Sequence, residues 1–190
     1  GWRFAGLAMH YLQDLTQPYH ASLAPDFSTV RLMGINLLSI LGMPNAKNDM
    51  IILLSNRHFV LERYESQMIQ AAAQTRKASS VEQALHDTRT DAAYPAWSDQ
   101  YVRDTVARQS HEMGITVTTQ MLATVPTGYV NNPRFDFGLH AKDIDLMAEV
   151  ARQGEAPKAA LESTIATLMR NAGAHSRNMV RGILRDSGKR

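Results

Sequence analysis

Residues 45–76, NAKNDMIILLSNRHFVLERYESQMIQAAAQTR, decide the fold class, because their pattern predicts one long helix. Side chains at spacings of three, four and seven residues lie on one face of a helix. Along this stretch that face would carry Ile51, Leu54, His58, Glu62 and Ile69. The apolar members of the row indicate a buried face, so we expect His58 and Glu62 to point into the protein.

A second imidazole and carboxylate pair, His10 and Asp14, has the same spacing within the helical pattern of residues 2–16. Phe4 and Leu7 lie on the same predicted stripe, which indicates that this pair also points inward. A spacing of four residues places two side chains one above the other, so each pair can hold one ion. Buried carboxylates need partners. Two interpretations therefore stay open, a metal site or core contacts that satisfy each other.

Two local motifs resemble those of the zinc-dependent phospholipase C and P1/S1 nuclease family. Residues 8–21, AMHYLQDLTQPYHA, are similar to its H-x-x-x-D-x-x-Q-P-x-H-A signature. Residues 56–65, NRHFVLERYE, are similar to its next metal-binding helix. The motifs occur in the family's order with a helix-sized insert between them, so the resemblance covers roughly the first 70 residues.

The resemblance implies a set of metal ligands. His10 and Asp14 would bind one zinc ion, with Asp14 also bridging to a neighbouring zinc. His20, His58 and Glu62 would form another site, and such a set leaves a position open for water, as catalytic zinc sites do. The complete family site holds up to three zinc ions. Glu62 favours the phospholipase branch, because the nuclease branch usually has Asp at that position.

The resemblance also implies an activity. It predicts a zinc-dependent phospholipase C, which releases diacylglycerol and a phosphorylated head group by means of a metal-activated water. Two alternatives stay open: a single-strand nuclease or 3'-nucleotidase of the same family, and a non-catalytic zinc-stabilised helical binding module. The partners implied are a phospholipid substrate and a membrane in peripheral contact, with nucleic acid not favoured. The implied location is secreted, periplasmic or at the cell surface.

The family takes its remaining ligands and its general base from an upstream half. Gly1 begins inside a helical pattern without a cap, so we expect this chain to lack the N-terminal half of the family domain. Catalytic residues are therefore not assigned. Trp2 lies in the same helical segment as His10, and we interpret it as a core or interface aromatic rather than the family's amino-terminal ligand.

Composition limits the remaining possibilities. The chain has 190 residues, of which 44% are hydrophobic and 20% charged, as is ordinary for a globular protein. The absence of Cys excludes disulfides and thiolate zinc sites. A net charge of +2 is too small to indicate nucleic acid or anionic lipid as a partner. There is no Gly-rich phosphate loop, GxSxG elbow or HExxH motif.

The helical patterns together predict an all-α fold, and the resemblance implies that it is a helical bundle of the phospholipase C and P1 nuclease type. The loop expected over residues 126–138 is the predicted boundary between two parts. Residues 1–125 would form a zinc-binding helical core, and residues 126–190 a helical C-terminal extension that could pack on the same domain. Helices are expected over 2–16, about 28–40, 45–76, 81–88, 97–123, 139–153 and 157–186.

Two further groups of polar residues have no predicted role in metal binding. Four histidines have no acid four residues further on, and we interpret them as surface or helix-end residues: His86, His111, His140 and His175. Four basic residues recur every four positions and predict one solvated basic face near the C-terminus: Arg177, Arg181, Arg185 and Lys189.

Overall fold

The structure is a computed structural model that describes residues 1–22 and 24–188. Within these residues the chain is all-α with no strand, as the sequence predicts. Two 3₁₀ turns, Asp91–Ala93 and Ala141–Asp143, and a π-helix, Val102–Ala107, accompany ten α-helices. The α-helices are α1 Trp2–Leu15, α2 Pro18–Ala21, α3 Thr29–Ile40, α4 Asn45–Thr75, α5 Ser80–His86, α6 Arg108–Thr124, α7 Thr127–Val130, α8 Phe137–His140, α9 Leu146–Ala151 and α10 Glu155–Ser187.

The tight turn between α1 and α2 follows from local sequence. Pro18 disfavours helical geometry in the residue before it, and Gln17 is extended, with φ −79° and ψ 121°. The Gln17 side chain accepts a hydrogen bond from the backbone N–H of Tyr19 and so caps α2. The chain thus reverses within three residues and returns His20 to the end of α1.

The ends of α3 and α4 also lie where the sequence predicts them. The Ser28 hydroxyl accepts a hydrogen bond from the backbone N–H of Arg31 at 3.2 Å and caps α3. Gly42 follows α3 with φ 81°, a left-handed conformation that glycine adopts at little cost. Arg76 ends α4 in the same region, with φ 54°.

The helix expected over residues 139–153 is wrong. The chain there forms α8, a 3₁₀ turn and α9 instead. The Gln67 side chain on α4 donates to the Ile144 carbonyl at 2.9 Å and accepts from the Leu146 N–H at 2.9 Å. These bonds hold Ile144, between the 3₁₀ turn and α9, in an extended conformation, and the Asp145 side chain then caps α9.

The largest apolar cluster lies between α4, α6, α10 and the short helices α7 to α9. Tyr64 and Met121, from residues 1–125, are each 1% exposed. Phe137, Leu146 and Ile165, from residues 126–190, are completely buried in the same cluster. The two parts of the chain therefore share one core. No helix among the described residues is long and apolar enough to cross a membrane.

Helix α5 lies directly against α10 at Gly173. A Cβ atom at this position would overlap the Leu85 carbonyl oxygen and come within 2.8 Å of an Arg177 nitrogen. The same guanidinium donates to that carbonyl at 2.7 Å. Gly173 is therefore needed for close approach of two backbones, rather than for an unusual backbone conformation.

We expect Gly173→Ala to lower the free energy of unfolding by about 2 kcal/mol or more, because α5 must move away from α10. Urea denaturation followed by circular dichroism measures this change. Gly34→Ala is the matched control, since nothing lies within 4 Å of a Cβ added there. That variant should gain roughly 0.5–1 kcal/mol from helix propensity. A Gly173→Ala protein as stable as the wild type would contradict the packing described here.

Candidate metal centre

Three ligand atoms converge between α2 and α4. The His20 and His58 Nε2 atoms are 2.8 Å apart. The Oε1 atom of Glu62 is 2.9 Å from the His58 Nε2 and 3.9 Å from the His20 Nε2. Within residues 1–22 and 24–188, this is the one group of three or more His, Cys, Asp or Glu side chains whose ligand atoms all lie within 4.8 Å of one another.

Each member of this triad reaches the site through local structure. His58 and Glu62 lie one turn apart on α4, and the spacing of four residues aligns their side chains. His20 enters from α2, where the Pro18 turn has returned the chain to the end of α1. The triad therefore joins two helices that are well separated in the sequence.

Asp14 holds the His20 ring from the other side. The His20 Nδ1 atom is 2.8 Å from the Asp14 Oδ1 atom and 3.0 Å from the Asp14 backbone carbonyl oxygen. Both oxygens are acceptors, so Nδ1 is the donor of this ring and Nε2 is the nitrogen that can bind an ion. A carboxylate behind a histidine in this way fixes the tautomer that binds a metal.

The donor set suits zinc or a similar divalent ion. Two imidazole nitrogens and one carboxylate match the ligands of catalytic zinc sites. Zinc–nitrogen bonds of about 2.0–2.1 Å in a tetrahedral site put two nitrogens roughly 3.3 Å apart. The His20 and His58 Nε2 atoms are 2.8 Å apart, so a small separation of the two rings would admit the ion. The His58 ring lowers the pKa of the Glu62 carboxyl below its usual value, so this ligand is anionic at neutral pH. The three side chains are 22% to 44% exposed and accessible to an ion.

The two ligands implied for a second zinc are placed differently. His10 is exposed on α1, and its ring lies 5.6 Å from the ring of Tyr11. Asp14 is one turn further along α1 and pairs with His20. The structure thus brings His20, His58 and Glu62 together, adds Asp14 through His20, and leaves His10 outside this group.

We expect Asp14→Ala to weaken zinc binding by about 10- to 100-fold, because the His20 ring loses the acceptor that fixes its tautomer. His10→Ala should change the affinity of the triad by less than about threefold, since His10 does not contact it. Competition with a chromogenic zinc chelator measures both affinities. Equal losses in the two variants would contradict this assignment and favour a shared site for His10 and Asp14.

The expectation that both helical pairs point inward is wrong. On α1, Phe4 is 74% exposed and Leu7 is 50% exposed, whereas the buried residue is Leu12. On α4, Ile51 and Ile69 are 51% and 42% exposed. Both helices carry apolar residues on more than one face. The face of α1 that packs lies mainly against α10, and α4 packs mainly against α3 and the short helices α7 to α9. Trp2 is 71% exposed, so it is not a core aromatic in this structure.

A cavity of about 360 Å³ adjoins the triad on one side. His20 and Glu62 line it together with Glu65, which lies one turn beyond Glu62 on α4 and is 9% exposed. Burial, with a smaller contribution from the negative charge of Glu62, raises the pKa of the Glu65 carboxyl to about 8. Sequence reasoning missed Glu65, although it lies on the same stripe, seven residues after His58, because it has no histidine four residues before it.

His175 differs from its predicted role. It is 1% exposed, and its ring contacts the Tyr101 hydroxyl at 2.8 Å and the Gln109 Oε1 at 2.8 Å. Burial lowers the pKa of His175 to about 4, so the ring is neutral. It is a structural core histidine rather than a surface residue. The other three, His86, His111 and His140, are exposed, as predicted.

The predicted basic face is largely paired rather than solvated. Arg177 donates to both carboxylate oxygens of Asp91, at 2.9 and 2.7 Å, and Arg181 donates to Oδ2 at 2.8 Å. Arg185 donates to the Trp97 carbonyl at 3.1 Å. These bonds attach α10 to the segment before the π-helix. Lys189 lies outside the described residues.

Comparison with known proteins identifies no relative of this chain. No family model, no curated protein and no solved structure matches the chain.

Proposed function

We propose that this protein is a zinc-dependent phosphodiester hydrolase of the phospholipase C type. The observation that carries the proposal is the convergence of His20, His58 and Glu62 on one point, with Asp14 behind His20. The motifs of residues 8–21 and 56–65 resemble those of the zinc-dependent phospholipase C and P1/S1 nuclease family, and the triad consists of residues from both motifs. A helical bundle of that family's type is part of the proposal.

Each of the four residues would have its own role in such a site. His20 and His58 would hold zinc through Nε2, and Glu62 would add one negative charge. A zinc ion would polarise a phosphoryl oxygen and lower the pKa of a bound water to about 7. Asp14 keeps the Nδ1 proton of His20 in place, so the ring stays oriented with its lone pair toward the site.

The proposal extends to substrate and location. A phospholipid would be the substrate, and diacylglycerol and a phosphorylated head group would be the products. The protein would act outside the cytoplasm, as a secreted, periplasmic or cell-surface enzyme in peripheral contact with a membrane. These points are supported by the resemblance of the two motifs. Up to three zinc ions would be bound in a complete site of this kind.

Hydrolysis by the zinc-loaded chain tests the proposal directly. Short-chain phosphatidylcholine and single-stranded DNA are offered separately, and release of phosphocholine or nucleotides is measured. We expect turnover of the lipid, and a loss on the order of 100-fold or more in kcat/KM for His58→Ala. His111→Ala is the matched control, because it removes an exposed imidazole from α6.

The other outcomes would each reject the phospholipase assignment. Preferential hydrolysis of DNA would show a nuclease built on the same metal centre. Stoichiometric zinc without turnover of either substrate would show that the chain is a zinc-stabilised binding module.

A further inference from the structure

A second cavity, of about 450 Å³, lies on the other side of Asp14 and His20. It is bounded by α1, by the segment from Trp97 to the π-helix, and by α10. Asp14 and His20 line this cavity as well as the one beside Glu65. Its volume is within the range of small-molecule sites, which is about 300–1,000 Å³. The cavity therefore adjoins the candidate metal centre through His20.

Apart from the edge formed by Asp14 and His20, the walls are apolar. Leu12 and Met179, which form part of a buried cluster, lie among the residues that line it. The hydroxyl of Tyr11 and the indole N–H of Trp97 are the remaining polar side-chain groups among the described lining residues. A ligand part that enters here would gain by removing apolar surface from water and would find few hydrogen-bond partners.

The Trp97 wall is built into the fold. A Cβ atom at Gly182 of α10 would come within 2.7 Å of the Trp97 side chain, so only glycine lets the indole lie this close to the helix. The indole is also 5.0 Å from the Tyr101 ring. Arg185 donates a hydrogen bond to the Trp97 backbone carbonyl. These contacts fix the wall before any ligand binds, which lowers the entropic cost of binding.

We infer that this cavity binds the hydrocarbon chain of a phosphate ester whose phosphate lies at the metal centre. The inference rests on the proposed function for the position of the phosphate, and on the apolar walls for the chain. An alkyl or acyl chain makes no hydrogen bonds, so walls of Leu12, Leu15, Val102 and Met179 leave no polar group of the ligand unpaired. The cavity thereby selects lipid-like esters over esters with polar substituents.

Binding of a homologous series of alkyl phosphates tests the inference without turnover. Butyl, hexyl and octyl phosphate, each below its micelle concentration, are titrated into the zinc-loaded protein by calorimetry. We expect affinity to rise about threefold or fourfold for each added methylene until the cavity is filled. In a Trp2→Phe background, the emission of Trp97 should shift on binding and locate the chain, since the protein has two Trp.

Ala8→Phe is the diagnostic variant. Ala8 is an exposed residue of α1 that lines the cavity, so a larger side chain there should fill the space without disturbing the core. We expect this variant to lose the dependence on chain length and to bind inorganic phosphate as the wild type does. Ala73→Phe, at an exposed position of α4, is the matched control and should keep the dependence.

Three results would overturn the inference. These are an affinity independent of chain length in the wild type, a dependence that survives Ala8→Phe, and tighter binding of nucleoside monophosphates than of octyl phosphate. The last would assign the cavity to a base lying between Tyr11 and Trp97. A chain-length dependence without hydrolysis of phosphatidylcholine would reject the proposed function and support the cavity assignment. Hydrolysis of phosphatidylcholine without a dependence of affinity on chain length would support the proposed function and reject the cavity assignment.

Discussion

Replacement of His58 by Ala should abolish zinc binding by the chain. The His58 Nε2 atom lies within 2.9 Å of both other ligand atoms of the triad, so its loss leaves two ligands that no longer surround one point. The wild-type protein should retain about one zinc ion after dialysis. At a free zinc concentration about 1,000-fold above Kd, binding adds about 4 kcal/mol to the free energy of unfolding. For a chain of this size that corresponds to a rise of roughly 10 °C in Tm.

Elemental analysis and thermal denaturation, each with and without zinc, measure these effects. His58→Ala should contain no stoichiometric zinc, and its Tm should not respond to zinc or to a chelator. The ring is 30% exposed, so the metal-free variant should remain folded. His111→Ala, which also removes one imidazole, should behave as the wild type. Stoichiometric zinc in His58→Ala, or none in the wild type, would contradict the metal centre.

The free energy of unfolding should fall as the pH rises toward 8, because of Glu65. Its pKa is about 8 in the folded protein and about 4.3 in an unfolded chain. Between these values the folded state holds a proton that the unfolded state has released, so unfolding becomes easier with rising pH. The contribution of protonated Glu65 to the free energy of unfolding is fully present below the pKa of the unfolded chain. It is lost as the pH rises through the pKa of the folded protein. We expect a loss of about 3 kcal/mol between pH 5 and pH 8.

Glu65→Gln should remove most of this pH dependence. The amide has nearly the same shape and no charge, so the variant should be more stable than the wild type at pH 8 and similar to it at pH 5. Urea denaturation at pH 5, 6, 7 and 8 in the presence of a chelator measures the effect while the triad is metal-free. Glu82→Gln, on α5, is the control for loss of a carboxylate elsewhere. Parallel pH profiles for wild type and Glu65→Gln would show that Glu65 is ionised in the fold.

Of the five residues predicted as zinc ligands from sequence, three meet in the structure and two do not. His20, His58 and Glu62 lie together because the Pro18 turn and the long helix α4 are both readable from local sequence. His10 and Asp14 do not form a pair, because Asp14 contacts His20 and His10 is exposed to solvent. Helical spacing places His10 and Asp14 on one face but does not reveal which neighbour approaches that face.

The amino-acid sequence by itself determined the helical class and most helix ends. Ser28, Gly42 and the Pro18 turn act through their own backbone and their nearest neighbours, so their effect does not depend on the rest of the fold. It also determined the kinds of side chain that can bind a metal.

The tertiary structure alone decided which helix faces are buried and which polar groups meet. The burial of Glu65 and His175, the pairing of Asp91 with Arg177, and the cavity beside Trp97 join residues that are distant in the sequence. The helix expected over residues 139–153 is interrupted for the same reason, because Gln67 of α4 binds the backbone there. Such contacts depend on how the helices pack, and a local pattern holds no information about the partner.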